Sequence, residues 1–531
     1  MEMIKRKRER EYIWIGMLLL IGGIIRIICC FWGWPHQYHA DEHTIIEGAM
    51  DMLSRHSWEA FVYNRPDHFE IKCDAVIFSL VSWVKYKAPA YEMFELHKKV
   101  FYFLGRLFTC FWGIALIPLS YAFILKLTEN KKNAFLAGFF VTFSPIFVQH
   151  SAYATPDIPL AFFVLLTAYF SIYYIRNDRF IYLAGMCCTS GIAVTIKYPA
   201  ALCCVYIAVV VIYKAYKERE SMWINILKRG AASVAIVLVC MFVIAPNLFT
   251  DITQVVTTLK VEARNTHVGA DGLGKAGNIF YYLQTICGSM GYISIVLFGA
   301  GVYNIWKKYK TMLIPLSMFV IYWIGLSMMA LHWERWGIPM YLGYIYCMSV
   351  GIYEALEWGR GMSKYVRVAV SAIIGIIACN VILSAVIITF FSVQTDTRTL
   401  ALEYCEKNNI TAENSIGESY TPFHESGGGI LACDMFDSDN GRVILKDEYQ
   451  NKDYLIISTS YLNRFLAEPT RYLNEIECYD SINKTYKLEK EFKSENNEHS
   501  SWSLINIYDN LRYMATGKKV TGNDIYIYEL Q

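Results

Sequence analysis

Between Tyr12 and Phe391 long apolar runs alternate with short polar segments, and each run approaches the roughly 20 apolar residues needed to cross a bilayer core. From Gln394 to Gln531 the pattern changes to the mixed polarity of an ordinary soluble domain. The runs predict about eleven transmembrane helices, over residues 12–32, 99–125, 134–149, 157–175, 180–196, 199–213, 231–249, 279–305, 311–331, 337–354 and 366–391. Lys197-Tyr198-Pro199 separates two of them, because proline disfavours a continuous helix. The polar segment 33–98 is too long for a plain connection. Within it Asp41 to Arg55 carries Ile45, Ile46, Ala49, Met50 and Leu53 near helical spacing, the pattern of a helix lying along the membrane surface. In the tail, the runs Thr397 to Lys407, Asp453 to Ser458, Tyr461 to Leu466 and Asp524 to Leu530 alternate between helix-like and strand-like patterns, which predicts a small α/β domain. The expected fold is a polytopic α-helical membrane domain over 1–393, with its long loop 33–98, followed by a soluble α/β domain over 394–531.

Charge orients this arrangement. One set of alternate loops is rich in Lys and Arg: the N-terminus, Lys126 to Lys132, Arg176 to Arg179, Lys214 to Arg229, Lys307 to Lys310 and Arg360 to Arg367. The other set, 33–98, Gln149 to Pro156, 250–278 and His332 to Gly337, is mixed or acidic. The positive-inside rule then places the N-terminus in the cytoplasm, and an odd number of spans puts the tail outside a cytoplasmic membrane crossed many times. The basic start resembles a signal-peptide n-region, but the apolar run from Tyr12 to Trp34 is too long for an h-region and lacks a small-residue cleavage site, so it is read as a retained helix. Only 18% of residues are charged, and the mean hydropathy is +0.29. Net charge is +2, while the tail carries roughly nine more acids than bases, which argues against nucleic acid as a partner. The 15 cysteines fall mostly in apolar runs, with no zinc-binding spacing.

Candidate chemistry gathers on the outer side. Asp41 and Glu42 follow the first span, flanked by His39 and His43, with His36 nearby. A helix N-cap accounts for them equally well, since acids favour helix starts. Asp157 stands between Pro156 and Pro159 at the mouth of the fourth span, and ionisable groups at a membrane boundary point to function. Arg65, Lys72, Arg106, Lys197, Arg264 and Arg335 lie on the same side. Individually each fits a snorkelling side chain; together they break the rule that outer segments lack Lys and Arg. Acids able to deprotonate a hydroxyl, beside cations able to hold a departing phosphate, are what glycosyl transfer from a lipid phosphate requires. The His and carboxylate cluster also suits zinc or manganese, and carboxylates alone suit magnesium.

Asp41-Glu42, Tyr153-Ala154-Thr155-Pro156-Asp157-Ile158-Pro159, Gly191-Ile192-Ala193-Val194-Thr195-Ile196-Lys197-Tyr198, Glu334-Arg335-Trp336-Gly337-Ile338-Pro339 and the stretch from Asp396-Thr397-Arg398 to Glu418-Ser419-Tyr420-Thr421-Pro422 occur in an order and on sides that resemble a bacterial member of the GT-C glycosyltransferases. Within that superfamily the chain resembles the protein O-mannosyltransferases and the lipid A aminoarabinose transferases. Trp336 replaces the tyrosine usual in the fourth of these segments, and no MIR-type lectin insertion is visible. The resemblance implies a sugar donor on polyprenyl phosphate and an acceptor hydroxyl, on a lipid, a cell-envelope glycan or a protein, at the outer face of the membrane. It implies Asp41, Glu42 and Asp157 as the catalytic acids. Lys197 and Arg335, then Arg106 and Arg264, are the candidates for the donor phosphate. A divalent cation (Mg, Mn or Zn), if present, would be held by Asp41, Asp157 and His43. A lipid or small-solute transporter, or a membrane sensor of the same fold, is the competing expectation; transporters usually carry internal repeats, and none is visible here.

Overall fold

A computed structural model describes residues 2–218, 221–424, 429–439, 442–494, 504–517 and 520–530. Its helices run α1 (Glu2–Cys29), α2 (Glu42–Ser54), α3 (His68–Tyr86), α4 (Ala90–Thr128), α5 (Lys131–Phe143), α6 (Pro145–His150), α7 (Asp157–Asn177), α8 (Phe180–Ile196), α9 (Leu202–Lys217), α10 (Met222–Ile244), α11 (Asn247–Thr250), α12 (Ile252–Glu262), α13 (Gly274–Met290), α14 (Ser294–Lys308), α15 (Leu313–Ser327), α16 (Ile338–Arg360) and α17 (Lys364–Phe391). The expected surface helix after Asp41 is α2, whose Ile45, Ile46, Ala49 and Met50 are buried against α3 and α4.

Among the described residues, six helices are long and apolar enough to cross a membrane, or seven if α13 and α14 count as one broken span. The chain is a membrane protein with several apolar helices. The longer count expected from the sequence is not reached by length and composition, for physical reasons that differ by segment. The run 279–305 bends by 111° between α13 and α14. Gly291 stands at the bend with φ +89°, a conformation that residues with a side chain rarely adopt. The run 134–149 breaks at Ser144-Pro145 into α5 and α6. The apolar parts of α1 and α8, Ile13–Cys29 and Phe180–Ile196, are short. Helix α16 is long enough but carries Tyr341, Tyr344, Tyr346, Tyr353 and Glu354.

Two features lock the helices together. Gly301 of α14 and Gly351 of α16 bring backbones into contact: a Cβ on Gly301 would lie 1.7 Å from the Cys347 carbonyl oxygen, and one on Gly351 1.9 Å from that of Leu297. Small residues at helix interfaces in membranes serve this close approach. Arg26, fully buried in α1, donates to Val141 O at 2.9 Å, Thr142 O at 3.0 Å, Gly22 O at 3.2 Å and Ser151 Oγ at 3.2 Å. The carbonyls freed where α5 ends are thereby satisfied by the guanidinium, which itself needs partners in an apolar interior.

Among the described residues, every strand follows Gln394: β1 (Thr395–Asp396), β2 (Ser415–Gly417), β3 (Phe436–Asp439), β4 (Arg442–Leu445), β5 (Tyr454–Ser458), β6 (Lys487–Phe492), β7 (Val520–Thr521) and β8 (Ile525–Glu529). They accompany α18 (Thr397–Lys407), α19 (Thr459–Ala467), α20 (Leu473–Thr485) and α21 (Leu504–Thr516). The main sheet has the order β2-β5-β8-β6, with β2 parallel to β5 and the other neighbours antiparallel. Alternation along β5 separates its faces. Ile456, with Ile525 and Ile527, meets Ala401 and Cys405 of α18. Leu455 and Ile457, with Tyr528, meet Tyr461, Phe465, Tyr479 and Ile482 of α19 and α20.

Adding a methyl at the α14–α16 contact should force the helices apart. We expect Gly301→Ala and Gly351→Ala each to destabilise by about 1–3 kcal/mol, the usual cost of overpacking, read as a lower melting temperature in detergent, while Gly299→Ala, which has open space, stays near the parent.

Candidate active site

Asp41 begins α2 but does not cap it: its carboxylate makes no hydrogen bond to the helix N–H groups. It turns to Arg335, whose Nη1 donates to Oδ2, and to Arg65, whose Nη1 lies 3.2 Å from the same oxygen. Burial alone would push this carboxyl up, yet Arg335 and then Arg65 hold it well below the usual carboxylate range. Arg65 also donates through Nε to Asp67 at 2.6 Å. Burial pushes Asp67 up to about 6, against the pull of Arg65. His39 accepts the Asp41 backbone N–H on Nδ1 at 3.3 Å and lies against the Tyr153 ring, centroids 4.5 Å apart. Burial lowers the His39 value, so the ring is neutral near pH 7.

Glu42 faces the opposite way. Arg106 grips it with two parallel bonds of 2.8 Å, Nε to Oε1 and Nη2 to Oε2, and the Ala154 N–H donates to Oε1 at 2.9 Å. Arg106 spends its remaining donor Nη1 on Cys30 O at 3.1 Å and Trp32 O at 2.6 Å. Both side chains are at most 2% exposed. The donors of Arg106, expected from the sequence to face a phosphate, are thus committed inside the protein, and Glu42, expected among the catalytic acids, is bound by Arg106 and the Ala154 N–H.

Asp157 likewise makes no cap bond at the start of α7 and pairs with Lys197 at 2.7 Å. Burial holds the Lys197 ammonium below its ordinary value despite that carboxylate. The ammonium also lies 5.7 Å from the Trp336 ring centroid, next to Arg335 in sequence. Lys72 donates to the Ile244 carbonyl at 2.5 Å and is buried. Arg264 is exposed on the loop after α12 and does not line the cavity beside Asp41. His43 is exposed and lines a separate groove with Thr44, Glu47 and Tyr63. The residues named for a divalent cation therefore do not converge. Asp41 and Asp157 are engaged by cations, His43 points elsewhere, and among the described residues no group of three His, Cys, Asp or Glu is arranged to hold a metal.

Asp41, His39 and Arg335 open onto a cavity of about 500 Å³. One wall is the apolar end of α1 and α17, with Cys29, Ile387, Ile388 and Phe391; the other is a polar roof from the C-terminal region, with Arg398, Tyr420, Ser460, Arg464 and Asn523. Two cavity residues escaped the sequence reading. Glu334 was quoted only as part of a motif, yet among the described residues it makes no ion pair, and burial pushes its carboxyl up to about 7. Arg464 lies in a tail where no charge pattern distinguishes it; only the folding of α19 over the loop after α12 brings it to the cavity. Glu70 and Asp74, also passed over, continue the acidic face of α3 behind Asp67. Both are buried, and burial raises both carboxyls well above their ordinary values.

Residues 76–256 match the family model for dolichyl-phosphate-mannose-protein mannosyltransferase. That stretch contains the Asp157 and Lys197 segments, while Asp41 and Arg335 lie to either side of it. The chain is 40% identical over 75 residues to dolichyl-phosphate-mannose--protein mannosyltransferase 1 of Schizosaccharomyces pombe, a match that takes in 14% of this chain and only 8% of that protein. Among solved structures, the oligosaccharyltransferase AglB of Archaeoglobus fulgidus, in complex with an inhibitory peptide and a dolichol-phosphate, has a TM-score of 0.50 at 10% identity over 90% of this chain and 73% of that one. This is a likeness of fold. ArnT of Cupriavidus metallidurans bound to undecaprenyl phosphate has a TM-score of 0.49 at 12% identity, over 98% of each chain.

The anchoring role of the buried pair is testable. Removing one partner of a buried, doubly bonded ion pair costs about 3–5 kcal/mol. Glu42→Gln and Arg106→Gln should each lower the melting temperature sharply, and the double variant should lose clearly less than the sum of the two. Additive losses would show that the two side chains act independently.

Proposed function

We propose that this chain is a membrane glycosyltransferase that moves a sugar from a polyprenyl-phosphate donor to an acceptor hydroxyl at the outer face of the membrane. The observation that carries this reading is the position of Asp41: an ionised carboxylate, held by Arg335 and Arg65, facing a cavity with an apolar helix-end wall and a polar roof. The apolar wall suits the first units of a lipid chain. The match of residues 76–256 to a family named for a lipid-phosphate sugar donor supports the same reading. In this reading all eleven segments cross or enter the membrane, the N-terminus is cytoplasmic and the C-terminal α/β layers stand outside, as the distribution of Lys and Arg among the loops supports.

In the proposed reaction the acceptor oxygen attacks the anomeric carbon, the bond from that carbon to the phosphate oxygen breaks, and the phosphate leaves on the lipid. The acceptor proton passes to Asp41. A carboxylate this well paired is a weak base, which is enough when the proton departs late, after the attacking oxygen has become strongly acidic through bonding to carbon. Arg335 is the phosphate residue: it lines the cavity, and its buried Nε has no hydrogen-bond partner. Lys197 is the counter-charge of Asp157 and sets the position of Trp336 and Arg335 from behind. A second reading of the base rests on Glu334, an unpaired cavity carboxyl whose raised value near 7 suits general-base work.

Asp41→Asn should leave an inserted, folded protein whose turnover falls by about two or more orders of magnitude; near-parent turnover would remove Asp41 from the chemistry. The pH profile separates the two bases. With Asp41 as base the carboxylate stays ionised throughout, and turnover is flat between about pH 5 and 8. With Glu334 as base, turnover rises with pH through about 7 and levels above it.

Arg335→Lys keeps the charge but loses the planar fork, and should weaken undecaprenyl phosphate binding by about tenfold, measured in nanodiscs. Lys197→Met should instead lower the melting temperature and leave that affinity near the parent value. For topology, a cysteine at Asn451 should label from outside intact cells and one at Lys217 should not; labelling of both from one side would break the eleven-segment reading.

A further inference from the structure

The cations around the cavity differ in one respect. Arg335 is neutralised by Asp41, and Arg398 is held by Asp396 through two bonds of 2.8 Å. Arg464 lines the same cavity, yet among the described residues no carboxylate lies within ion-pair distance of it. Its guanidinium lies 5.0 Å from the Tyr461 ring centroid and 5.5 Å from that of Tyr420, and its Nη2 donates to the Tyr420 hydroxyl at 3.5 Å. Its stem lies on Gly269, which has φ +78°; a Cβ there would come within 3.1 Å of the Arg464 Cγ and Cδ. Tyr420 is itself held at φ +68°, a conformation that a tyrosine adopts only when its surroundings impose it. The guanidinium is thus oriented by two rings and a glycine, with its charge left over. Glu418, whose carboxyl feels the Arg464 charge, is occupied by the Tyr479 hydroxyl and by the Ser458 N–H at 3.1 Å.

We propose that Arg464, with Tyr420 and Ser460 beside it, is an anion-binding subsite for the acceptor, and that the acceptor carries an oxyanion, phosphate or carboxylate, near the hydroxyl that receives the sugar. The inference rests on the glycosyltransferase reading and adds to it the chemical class of the acceptor. Placement assigns the subsite to the acceptor rather than to the donor. A polyprenyl chain must enter along the apolar wall formed by the ends of α1 and α17, and its phosphate then lies at Arg335 beside Asp41. Arg464 belongs to α19 of the C-terminal region and not to those apolar helix ends, so in the glycosyltransferase reading the group it holds arrives from the aqueous side. An arginine with free planar donors recognises phosphate and carboxylate alike.

The test uses the purified full-length chain in nanodiscs at low salt, with glycerol 1-phosphate and glucuronate as anionic probes, and glycerol and glucose as neutral controls. Ligand-observed NMR should report binding of the anionic probes alone, and Arg464→Gln should weaken it by about tenfold or more. Undecaprenyl phosphate affinity should stay within about twofold of the parent, because Arg335 is untouched. The tighter of the two anionic probes tells whether the acceptor's anion is phosphate or carboxylate. In the parent protein, the bound anionic probe should also protect Arg464 from phenylglyoxal, followed by mass spectrometry, which requires no variant to fold. Absence of anionic-probe binding to the parent, or unchanged phenylglyoxal reaction, overturns the proposal. So does an Arg464→Gln variant that loses undecaprenyl phosphate and keeps the probes, which would move the residue to the donor. A parent chain that binds the anionic probes but no undecaprenyl phosphate would instead remove the glycosyltransferase reading and leave an anion site.

Discussion

The Glu42–Arg106 pair is the fixed point around which Asp41 and Asp157 are placed. Two parallel charge-assisted hydrogen bonds in a place closed to water leave neither partner free to rotate, and the spare atoms of both are committed to backbone. Through them α4 holds the end of α1 at Cys30 and Trp32, the start of α2, and the Ala154 turn that precedes α7. Asp41 is one residue away from the clamp, and Asp157 three residues beyond the turn. The direction in which each of these carboxylates points is a consequence of a neighbour that does no chemistry in the proposed reaction.

Around that clamp the buried charges follow one rule, that a charge taken out of water is met by an opposite one. Asp41 meets Arg335 and Arg65, Asp157 meets Lys197, and Asp396 meets Arg398. Other charged or ionisable side chains lack such a partner among the described residues: Arg26 and Lys72, which bond to backbone carbonyls, Glu70 and Asp74 in α3, and Glu334 and Arg464 at the cavity. Of these, Glu334 and Arg464 line the cavity, where a ligand can complete them.

Much of the region around Asp41 and of the C-terminal elements was legible in the sequence because the relevant signals are local. The acids Asp41 and Asp157 stand at helix starts beside aromatic and proline residues, and the α2 amphipathic pattern and the runs Thr397 to Lys407 and Asp524 to Leu530 correspond to α2, α18 and β8. What could not be read was partnership. Whether Asp41 capped its helix or faced an arginine almost 300 positions later depends on folding, and so does the withdrawal of Arg106 into a clamp. The apolar runs gave the helices but overstated their continuity: Ser144-Pro145 and Gly291 were visible as breaking signals inside runs whose mean hydropathy concealed them. Arg464 carried no signal, since an arginine in a polar tail is ordinary until the tail is laid over the cavity.

Arg26 bears on how the protein is made. Its carbonyl and hydroxyl partners lie 115 to 125 residues further along the chain, apart from Gly22 in its own helix. When α1 leaves the ribosome those groups have not been synthesised, so the guanidinium has only the Gly22 carbonyl of its own helix to bond. Its burial is complete only once α5 and α6 are in place. Biogenesis of this protein is therefore a cooperative event over at least its first 150 residues rather than a succession of independently stable helices.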